Sequence, residues 1–592
     1  MTPRLRRKVR RVNVLEAAAE FTYRPGGITY VRSPRALGPY PAKLTERLDY
    51  WAEAAPDRVF LAQRDAARHW RQITYAQALS RVRSISQALI DRHLKGPLAI
   101  LSGNSVEHAL LGLACMYAGV PYAPIAPSYS LASADLSTLR FLLARLEPAM
   151  VFAADGAKFE RALALIAGFG AEVVTATRCP GIPSTSFGQL VRTVAGAGVD
   201  EAHARVGPET IVKILFTSGS TGRPKGVITT QRMLCSNQEM LTTLLGFLRE
   251  EPPVICDWLP WNHTFGGSHN FGLVLYNGGT LFIDEGKPTD TEFQATLDNL
   301  REVASTAYFN VPKGFEMLVP ALRQDAAFAQ HFFSRLNVLF YAAAGLNQRI
   351  WDELREVALD TCGEEILMVT GLGATEASPL ALATGAARAS ASHVGLPVPG
   401  VELKLAPVDT KVEARLRGPN ITPGFWGDPE LTRAAFDEEG FYRLGDALLP
   451  VDPADPLKGF RFNGRLTEDF KLSTGTWVSV GPLRESFLTW CAGAAWEVVL
   501  AAPDRDYVAA LIFPARGVTA ARLQPLLDGF ARQATGISTR IRRAMIAEDP
   551  PSMDAGELTE KGSINQTAVL HNRADLIEEL YTGSSRVIEV EL

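Results

Sequence analysis

No stretch of this sequence is both long and apolar enough to cross a membrane as a helix. The most apolar run, Ala109 to Val120, falls short of the roughly 20 residues that a bilayer core demands, and Gly112 and Gly119 interrupt it. It reads as a buried helix, and the protein as soluble. An excess of charge of one sign is missing as well. Sixty Lys and Arg against 64 Asp and Glu leave a formal net charge of −4, which gives no electrostatic reason to expect nucleic acid. An anionic ligand has to be met by local basic groups. The six cysteines, Cys115, Cys179, Cys235, Cys256, Cys362 and Cys491, form no C-x-x-C pair and no Cys/His cluster at zinc spacing. That pattern favours reduced thiols in a cytoplasmic protein over a disulfide framework, each thiol a small buried hydrophobe. The N-terminus is basic from Arg4 to Arg11 but lacks the apolar core and cleavage site of a secretory signal. It reads as a solvated, poorly ordered arm; an organellar presequence or a tag for anionic surfaces are its other readings. Repeats and low-complexity tracts are absent.

What is present is globular. The 592 residues are 47% hydrophobic and 21% charged, ordinary values for packed domains, and the length is enough for about four compact units. Helical spacing over 75–94 is followed by the short apolar run 97–103, then by a helix over 106–119. Two further helix–strand pairs follow, RFLLARLEPAMVFAA and RALALIAGFGAEVVTAT. This alternation predicts βαβ units and a largely parallel sheet. From about Val394 to Val451 short β-type runs punctuated by Gly and Pro predict a small barrel or a strongly twisted antiparallel unit. Past Arg465 strand and helix patterns mix in a smaller region. The expected architecture is α/β: a large N-terminal domain, 1–464, of βαβ subdomains plus a small β-barrel, then a small α+β domain, 465–592, on a hinge.

The strongest motif is Ile214 to Val227, ILFTSGSTGRPKGV. An apolar strand runs into Thr217, Ser218, Gly219, Ser220, Thr221 and Gly222, then Arg223, Pro224, Lys225 and Gly226. Glycines let backbone N–H groups approach phosphate oxygens closely, and such amides form an anion-binding concavity. The hydroxyls add donors and Lys225 a full positive charge. The Walker A loop is excluded, because its lysine precedes Ser or Thr and Lys225 precedes Gly226.

On this loop the sequence resembles the acyl-adenylate-forming superfamily of acyl-CoA synthetases, luciferases and peptide-synthetase adenylation domains. The resemblance covers nearly the whole chain and implies that the loop holds the phosphates of ATP. LPWNHTFGG (259–267) resembles the segment at the mouth of the acyl pocket, with His263 as its histidine. YAAAGL (341–346) resembles the strand end packed against adenine, which implies ATP-binding roles for Ala344 and Gly345. TGLGATE (370–376) resembles the motif whose Thr and Glu meet phosphate and Mg²⁺. Thr375 and Glu376 take those roles, Glu376 as the metal ligand, with Gly371 and Leu372 beside the nucleotide. Leu372 stands where the family usually has an aromatic, which forfeits a stacking contribution of about 1 kcal/mol. YRLGD (442–446) gives Asp446 as the acceptor from the ribose hydroxyls, and Leu444 replaces a common threonine. FNGRLTEDFKLSTG (462–475) gives Arg465 on ribose or phosphate. Thr467 falls on the hinge position, with Glu468 as the other choice. Lys471 and Gly475 fall on the face that meets coenzyme A, one residue further apart than usual. LTEKGSINQ (558–566) gives Lys561 as the catalytic lysine, although in many relatives the lysine follows the glycine.

The resemblance implies two half-reactions, adenylation of a carboxylic acid and transfer of the acyl group to coenzyme A, separated by a pivot of the C-terminal domain. The substrates and cofactors are the acid, ATP, Mg²⁺ and coenzyme A; dimers are frequent in the family. His263, Thr264, Phe265, Phe309, Asn310, Ala344, Gly345, Gly371 and Leu372 are expected to line the acyl pocket, and their small and aromatic side chains suit a flat ring. No acidic residue lies in 264–272 to pair an amino acid's amine. The wording of 462–484 and 558–566 is similar to bacterial feruloyl-CoA synthetases, which implies ferulate, p-coumarate or caffeate, with Asn310 or another polar group on the ring hydroxyl. Another aromatic or fatty acid, a carrier protein as acceptor, or a non-enzymatic nucleotide binder are the competing readings.

Overall fold

The computed structural model describes residues 8–218, 224–386, 389–558 and 564–591. Parallel pairing organises the first part, as the βαβ alternation predicts. Leu98–Ile100, Tyr122–Pro124, Met150–Asp155 and Glu172–Thr177 are parallel neighbours in a seven-stranded sheet, and Ile211–Ser218 joins beside Tyr122–Pro124. The helix Tyr75–Asp91 starts at a capping box formed by Thr74 and Gln77. The apolar helix Val106–Ala118 is capped by the Ser105 hydroxyl on the His108 amide and ends on Gly119 at φ +74°. Being apolar on all sides, it is buried along nearly its whole length. No helix among the described residues is long and apolar enough to cross a membrane.

A four-stranded sheet follows, in the order Val254–Asp257, Thr280–Ile283, Val59–Arg64, Trp70–Thr74. The largest sheet has 11 strands. It begins with three parallel strands, Ala307–Asn310, Val338–Tyr341 and Leu367–Gly373. It turns antiparallel through Leu380–Ala383 and His393–Pro397 into Phe460–Arg465, Tyr442–Pro450, Lys411–Arg417 and Glu402–Val408. The Gly/Pro-punctuated stretch is thus an antiparallel ladder continuous with the parallel strands, and Thr29–Arg32 and Glu20–Tyr23 extend its far edge.

The C-terminal part is smaller and has its own core. Ala495–Ala501, Val508–Pro514, Ile541–Ile546 and Val587–Glu589 form a four-stranded sheet with helices Val480–Trp490, Ala520–Gln533 and Ala574–Thr582. Strand alternation feeds two clusters: Val498 and Leu500 pack on one face, Val499 and Ala501 on the other. Between the two parts, buried Lys411 pairs with Asp469 and donates to the Asn463 carbonyl at 2.7 Å. The Ala134 amide donates to Asp554 Oδ2 at 3.0 Å.

The basic N-terminal arm differs from expectation from Lys8 onward. Arg10 donates to the carbonyls of Phe333 (2.8 Å) and Leu336 (2.7 Å) and pairs with Glu364 at 3.2 Å. Its amide donates to the Glu365 carbonyl, and the Leu15 amide to the Leu244 carbonyl. A charge run looks solvated in sequence, but a guanidinium carries several donors, and here they satisfy carbonyls left free around the helix end at Ser334.

Candidate functional site

Three parallel strands, Ala307–Asn310, Val338–Tyr341 and Leu367–Gly373, run in register, so Asn310 and Tyr341, at the carboxyl ends of the first two, lie beside Thr370, midway along the third. Such ends are where open α/β sheets bind ligands. Beyond Tyr341 the chain leaves the sheet through Ala343, which has φ +77°, and residues 343–345 are exposed. A Cβ on Gly345 would meet nothing closer than Glu485 Oε1 at 3.6 Å. Gly371 and Gly373 have no such room: a Cβ would lie 2.2 Å from the Leu382 carbonyl oxygen and 2.1 Å from that of Pro379. Leu372, between them, is buried at the edge of the main core. The following turn, Thr375–Ala377, buries both Thr375 and Glu376.

The phosphate motif is a hairpin of Ile211–Ser218 and Pro224–Thr230 in which Thr217 faces Lys225. Gly219, Ser220, Thr221, Gly222 and Arg223, and the side chain of Ser218, lie outside the described residues. The Thr217 hydroxyl is buried with no partner among the described residues. Lys225 Nζ is 2.7 Å from Glu376 Oε1 and 4.4 Å from the centroid of the Phe425 ring. Burial pushes the Glu376 carboxyl up, but the charge and hydrogen bond of Lys225, with backbone and Tyr442 hydrogen bonds, win and hold it below the usual glutamate range. The Tyr442 phenol is driven far up by burial and by the Glu376 charge it faces. Tyr442 opens the motif that supplies Asp446, and its hydrogen bond to Glu376 is set by the fold and has no signal in that motif.

Asp446 sits opposite Arg465 in the ladder, with Arg465 Nε 3.6 Å from its Oδ1. Burial pushes its carboxyl up to about 6 against the opposing pull of Arg465. Arg465 itself is largely exposed. The turn after it carries Thr467, which is exposed, and Glu468, whose carboxylate is 3.6 Å from Arg484. Lys471 is exposed and lies 4.8 Å from the centroid of the Trp477 ring; Gly475 turns the chain at φ +80°. Lys561 lies outside the described residues. Its flanks are tied: Leu558 bridges Ile564, and Glu557 is held by Arg573 at 2.7 Å.

The segment expected to line the acyl pocket forms one turn of π-helix, Phe265–Asn270, entered through half-buried His263. Two glycines make this turn possible. A Cβ on Gly266 or Gly267 would lie 2.2 Å from the carbonyl oxygen of Leu259 or Trp261. Lys213, buried beneath, donates to the Gly267 carbonyl at 2.5 Å. Phe265 and Phe309 are buried close to Phe340.

Asn310, expected on the ring hydroxyl, is turned to the protein. Its Oδ1 accepts from Trp258 Nε1 (3.2 Å) and from the Val311 amide (2.8 Å), and its Nδ2 donates to the Tyr308 hydroxyl (2.7 Å). Both ends of the amide are engaged with the protein, with Oδ1 accepting twice and Nδ2 donating once, so the side chain fastens the strand end. The free polar atoms are elsewhere. Thr264 Oγ1, Ser268 Oγ and His269 Nε2 are buried without partners, and His269 lies among the rings of Phe265, Phe309 and Phe340. The sequence carried a faint signal for this, three polar side chains in a glycine-rich apolar segment. Their lack of partners is a property of the fold alone.

The arrangement pairs a cationic hairpin with an ionised carboxylate on the turn after Leu367–Gly373, and the strands beside it carry the aromatic cluster of Phe309 and Phe340. The AMP-binding enzyme family model matches residues 48–426. An anthranilate–CoA ligase from Pseudomonas aeruginosa is 28% identical over 428 residues, covering 70% of this chain and 75% of that protein. A carboxylic acid reductase from Mycobacterium marinum is 25% identical over 574 residues, 87% of this chain; the chain spans 47% of that longer protein. Among solved structures, the anthranilate CoA ligase AuaEII with anthranoyl-AMP superposes with a TM-score of 0.72 at 20% identity, covering 92% of this chain and 99% of that one. ATP-bound MatB from Rhodopseudomonas palustris gives 0.67 at 21% identity, covering 90% and 100%. With the family model matched over more than half of its length, this chain belongs to the AMP-binding enzyme family.

Proposed function

We propose that the protein joins a hydroxycinnamic acid (ferulate, p-coumarate or caffeate) to coenzyme A through an acyl-adenylate, releasing AMP and pyrophosphate. The observation that carries the reading is the Lys225–Glu376 pair, which puts an ammonium and an ionised carboxylate at the foot of the phosphate hairpin. In the first half-reaction an acid oxygen attacks the α-phosphorus, and the bond to pyrophosphate breaks. Both reactants are anions, so the site's work is neutralisation and positioning. Lys225 and the amides of the 217–226 hairpin serve the β- and γ-phosphates, Thr375 the α-phosphate, Asp446 and Arg465 the ribose, and Lys561 the attacking and bridging oxygens. Ala344, Gly345, Gly371 and Leu372 flank the adenine.

A magnesium ion fits the donor set. The described residues hold no cluster of three or more His, Cys, Asp or Glu, and a lone ionised carboxylate at Glu376 beside Thr375 suits a hard cation that takes most of its ligands from phosphate and water. When bound, it supplies charge neutralisation on the phosphates. In the second half-reaction the coenzyme A thiol loses its proton, its sulfur attacks the acyl carbonyl, and AMP leaves. Residues 465–592 are the unit that pivots, about Thr467 or Glu468, to bring Lys471 and Gly475 to the site in place of Lys561.

The aromatic walls at Phe265, Phe309 and Phe340 support a planar acid, and the relative named for anthranilate acts on an aromatic one. The match to carboxylic acid reductases over most of this chain supports a second reading, in which the acyl group passes to another acceptor. Thioester formation from ferulate, p-coumarate, benzoate and octanoate with ATP, Mg²⁺ and coenzyme A separates these. Ferulate or p-coumarate should be turned over well above the other two. Faster turnover of octanoate discards the substrate, and pyrophosphate release without any thioester discards coenzyme A as the acceptor.

A further inference from the structure

Among the buried polar groups of the 264–270 segment that lack partners is the imidazole of His269, and its proton position follows from its neighbours. Asp257, at the end of Val254–Asp257, accepts on both carboxylate oxygens: from the Leu259 amide at 3.1 Å and from Asn270 Nδ2 at 3.0 Å. Burial pushes the Asp257 carboxyl up to about 7 against these two hydrogen bonds; with Asp257 in its ionised form the Asn270 amide is oriented with its nitrogen on Asp257 and its oxygen toward the imidazole, where Oδ1 stands 2.8 Å from His269 Nδ1. An oxygen there can only accept, so Nδ1 carries the hydrogen. A neutral imidazole then leaves a lone pair on Nε2, and that atom is buried without a partner. Burial also pushes the His269 imidazole down to about 4, which keeps the ring neutral near pH 7.

The surroundings define what can reach it. Phe265 and Phe309 present edge-on contacts to the imidazole at 5.2 and 5.3 Å, and Phe340 lies 5.3 Å away. Phe309 and Phe340 are register partners on adjacent parallel strands, one residue short of the strand ends. The three rings pack on one another as well as on the imidazole, so the surroundings of His269 are aromatic. The hydroxyls of Thr264 and Ser268 are also buried and unpaired, but a hydroxyl gives or takes a hydrogen bond, so only His269 sets the sign of recognition.

We infer that His269 Nε2 is the acceptor that reads a hydrogen-bond donor, a phenolic hydroxyl, on the ring of the acid, and that it is the residue selecting hydroxylated acids over unsubstituted and methylated ones. This rests on the aryl-acid reading above and extends it to a named residue and a defined polarity. An acid without a donor leaves a buried acceptor unpaired, and sites built to bond a substrate hydroxyl reject analogues lacking it by orders of magnitude.

The test measures kcat/KM by pyrophosphate release for 4-hydroxycinnamate, cinnamate and 4-methoxycinnamate, with the full chain, ATP, Mg²⁺ and coenzyme A. The wild type should favour the hydroxy acid by about 100-fold over cinnamate. His269→Leu should erase most of that ratio by slowing the hydroxy acid alone, with cinnamate turnover showing that the variant is folded. His269→Gln, which can return an oxygen to the Nε2 position, should keep part of the preference and reports independently should the leucine variant fail to fold. Equal turnover of hydroxy acid and cinnamate by the wild type overturns the inference and leaves an aryl-acid ligase standing. So does a preference unchanged in both variants. A preference for the methoxy acid would put the proton on Nε2 and overturn it too. Absence of pyrophosphate with any acid removes the ligase reading, and this inference with it.

Discussion

The ammonium of Lys225 lies 2.7 Å from a buried oxygen of Glu376, so the hairpin that carries the phosphate motif is tied to the turn that carries the candidate metal ligand. The pair holds the two elements in place and keeps Glu376 ionised despite its burial. Removing either partner therefore changes both geometry and charge.

Lys225→Met should lower kcat/KM for ATP by about 100-fold or more and destabilise the fold by about 3 kcal/mol, because it leaves a buried carboxylate uncompensated. The pH sign follows from the depressed Glu376 value. In the wild type its contribution to stability is complete above the unfolded value of about 4.3 and is lost as pH falls through the folded one. In Lys225→Met burial is opposed only by the backbone and Tyr442 hydrogen bonds, so the folded value rises, and once it passes the unfolded one the contribution reverses: stability falls as pH rises toward neutrality. Melting temperatures of both proteins from pH 4 to 7 check this, and Glu376→Gln in the Lys225→Met background should recover stability.

Asp446 has the opposite sign. Its folded value, raised by burial to about 6, means that the native state binds the proton more tightly, so stability from this group is present at low pH and is lost as pH rises from about 4 to 6. Asp446→Asn should therefore melt higher than wild type at pH 7.5, by on the order of 1 kcal/mol, while its KM for ATP rises. Higher stability with weaker nucleotide binding is the signature of a group kept for function. A variant that melts lower and binds ATP normally would assign Asp446 to structure.

Asn310→Ala should cost about 1–3 kcal/mol, since it leaves buried groups of Trp258 and Tyr308 without their partner. The ranking of aromatic acids by kcat/KM should be unchanged. A shift in that ranking comparable to the one expected for His269 variants would return Asn310 to the substrate.

Lys561→Ala should depress adenylation by two orders of magnitude or more and leave thioester formation from supplied acyl-AMP near the wild-type rate. Pyrophosphate exchange and single-turnover acyl transfer measure the two steps separately, and equal losses in both would contradict the role given to Lys561.

Much of this protein is written locally. The helix over Tyr75–Asp91, the buried helix Val106–Ala118 and the strands Ala495–Ala501 and Val508–Pro514 follow from apolar period and from Thr74, Ser105 and Gly119 at their ends. The phosphate motif is legible from its glycines, hydroxyls and lysine, and the order of the remaining landmarks points to the family, whereas the pairing of Ile211–Ser218 with Pro224–Thr230 as a hairpin emerges only from the structure. Arg10 shows where this reading stops. A basic run has the same composition whether it is solvated or anchored, and only the carbonyls of Phe333 and Leu336 decide which.

The sequence by itself determined which residue types stand on which elements, because helix and strand periods, caps and glycine turns act over a few residues. The tertiary structure alone decided which of those side chains are free to do chemistry. Asn310 is consumed by Trp258 and Tyr308, whereas Thr217, Thr264, Ser268 and His269 each keep a buried polar atom unpaired. Lys225 finds Glu376, and Asp257 sets the proton of His269 through Asn270. The reason is that hydrogen-bonding capacity belongs to a residue type, while its saturation depends on neighbours brought together from distant parts of the chain.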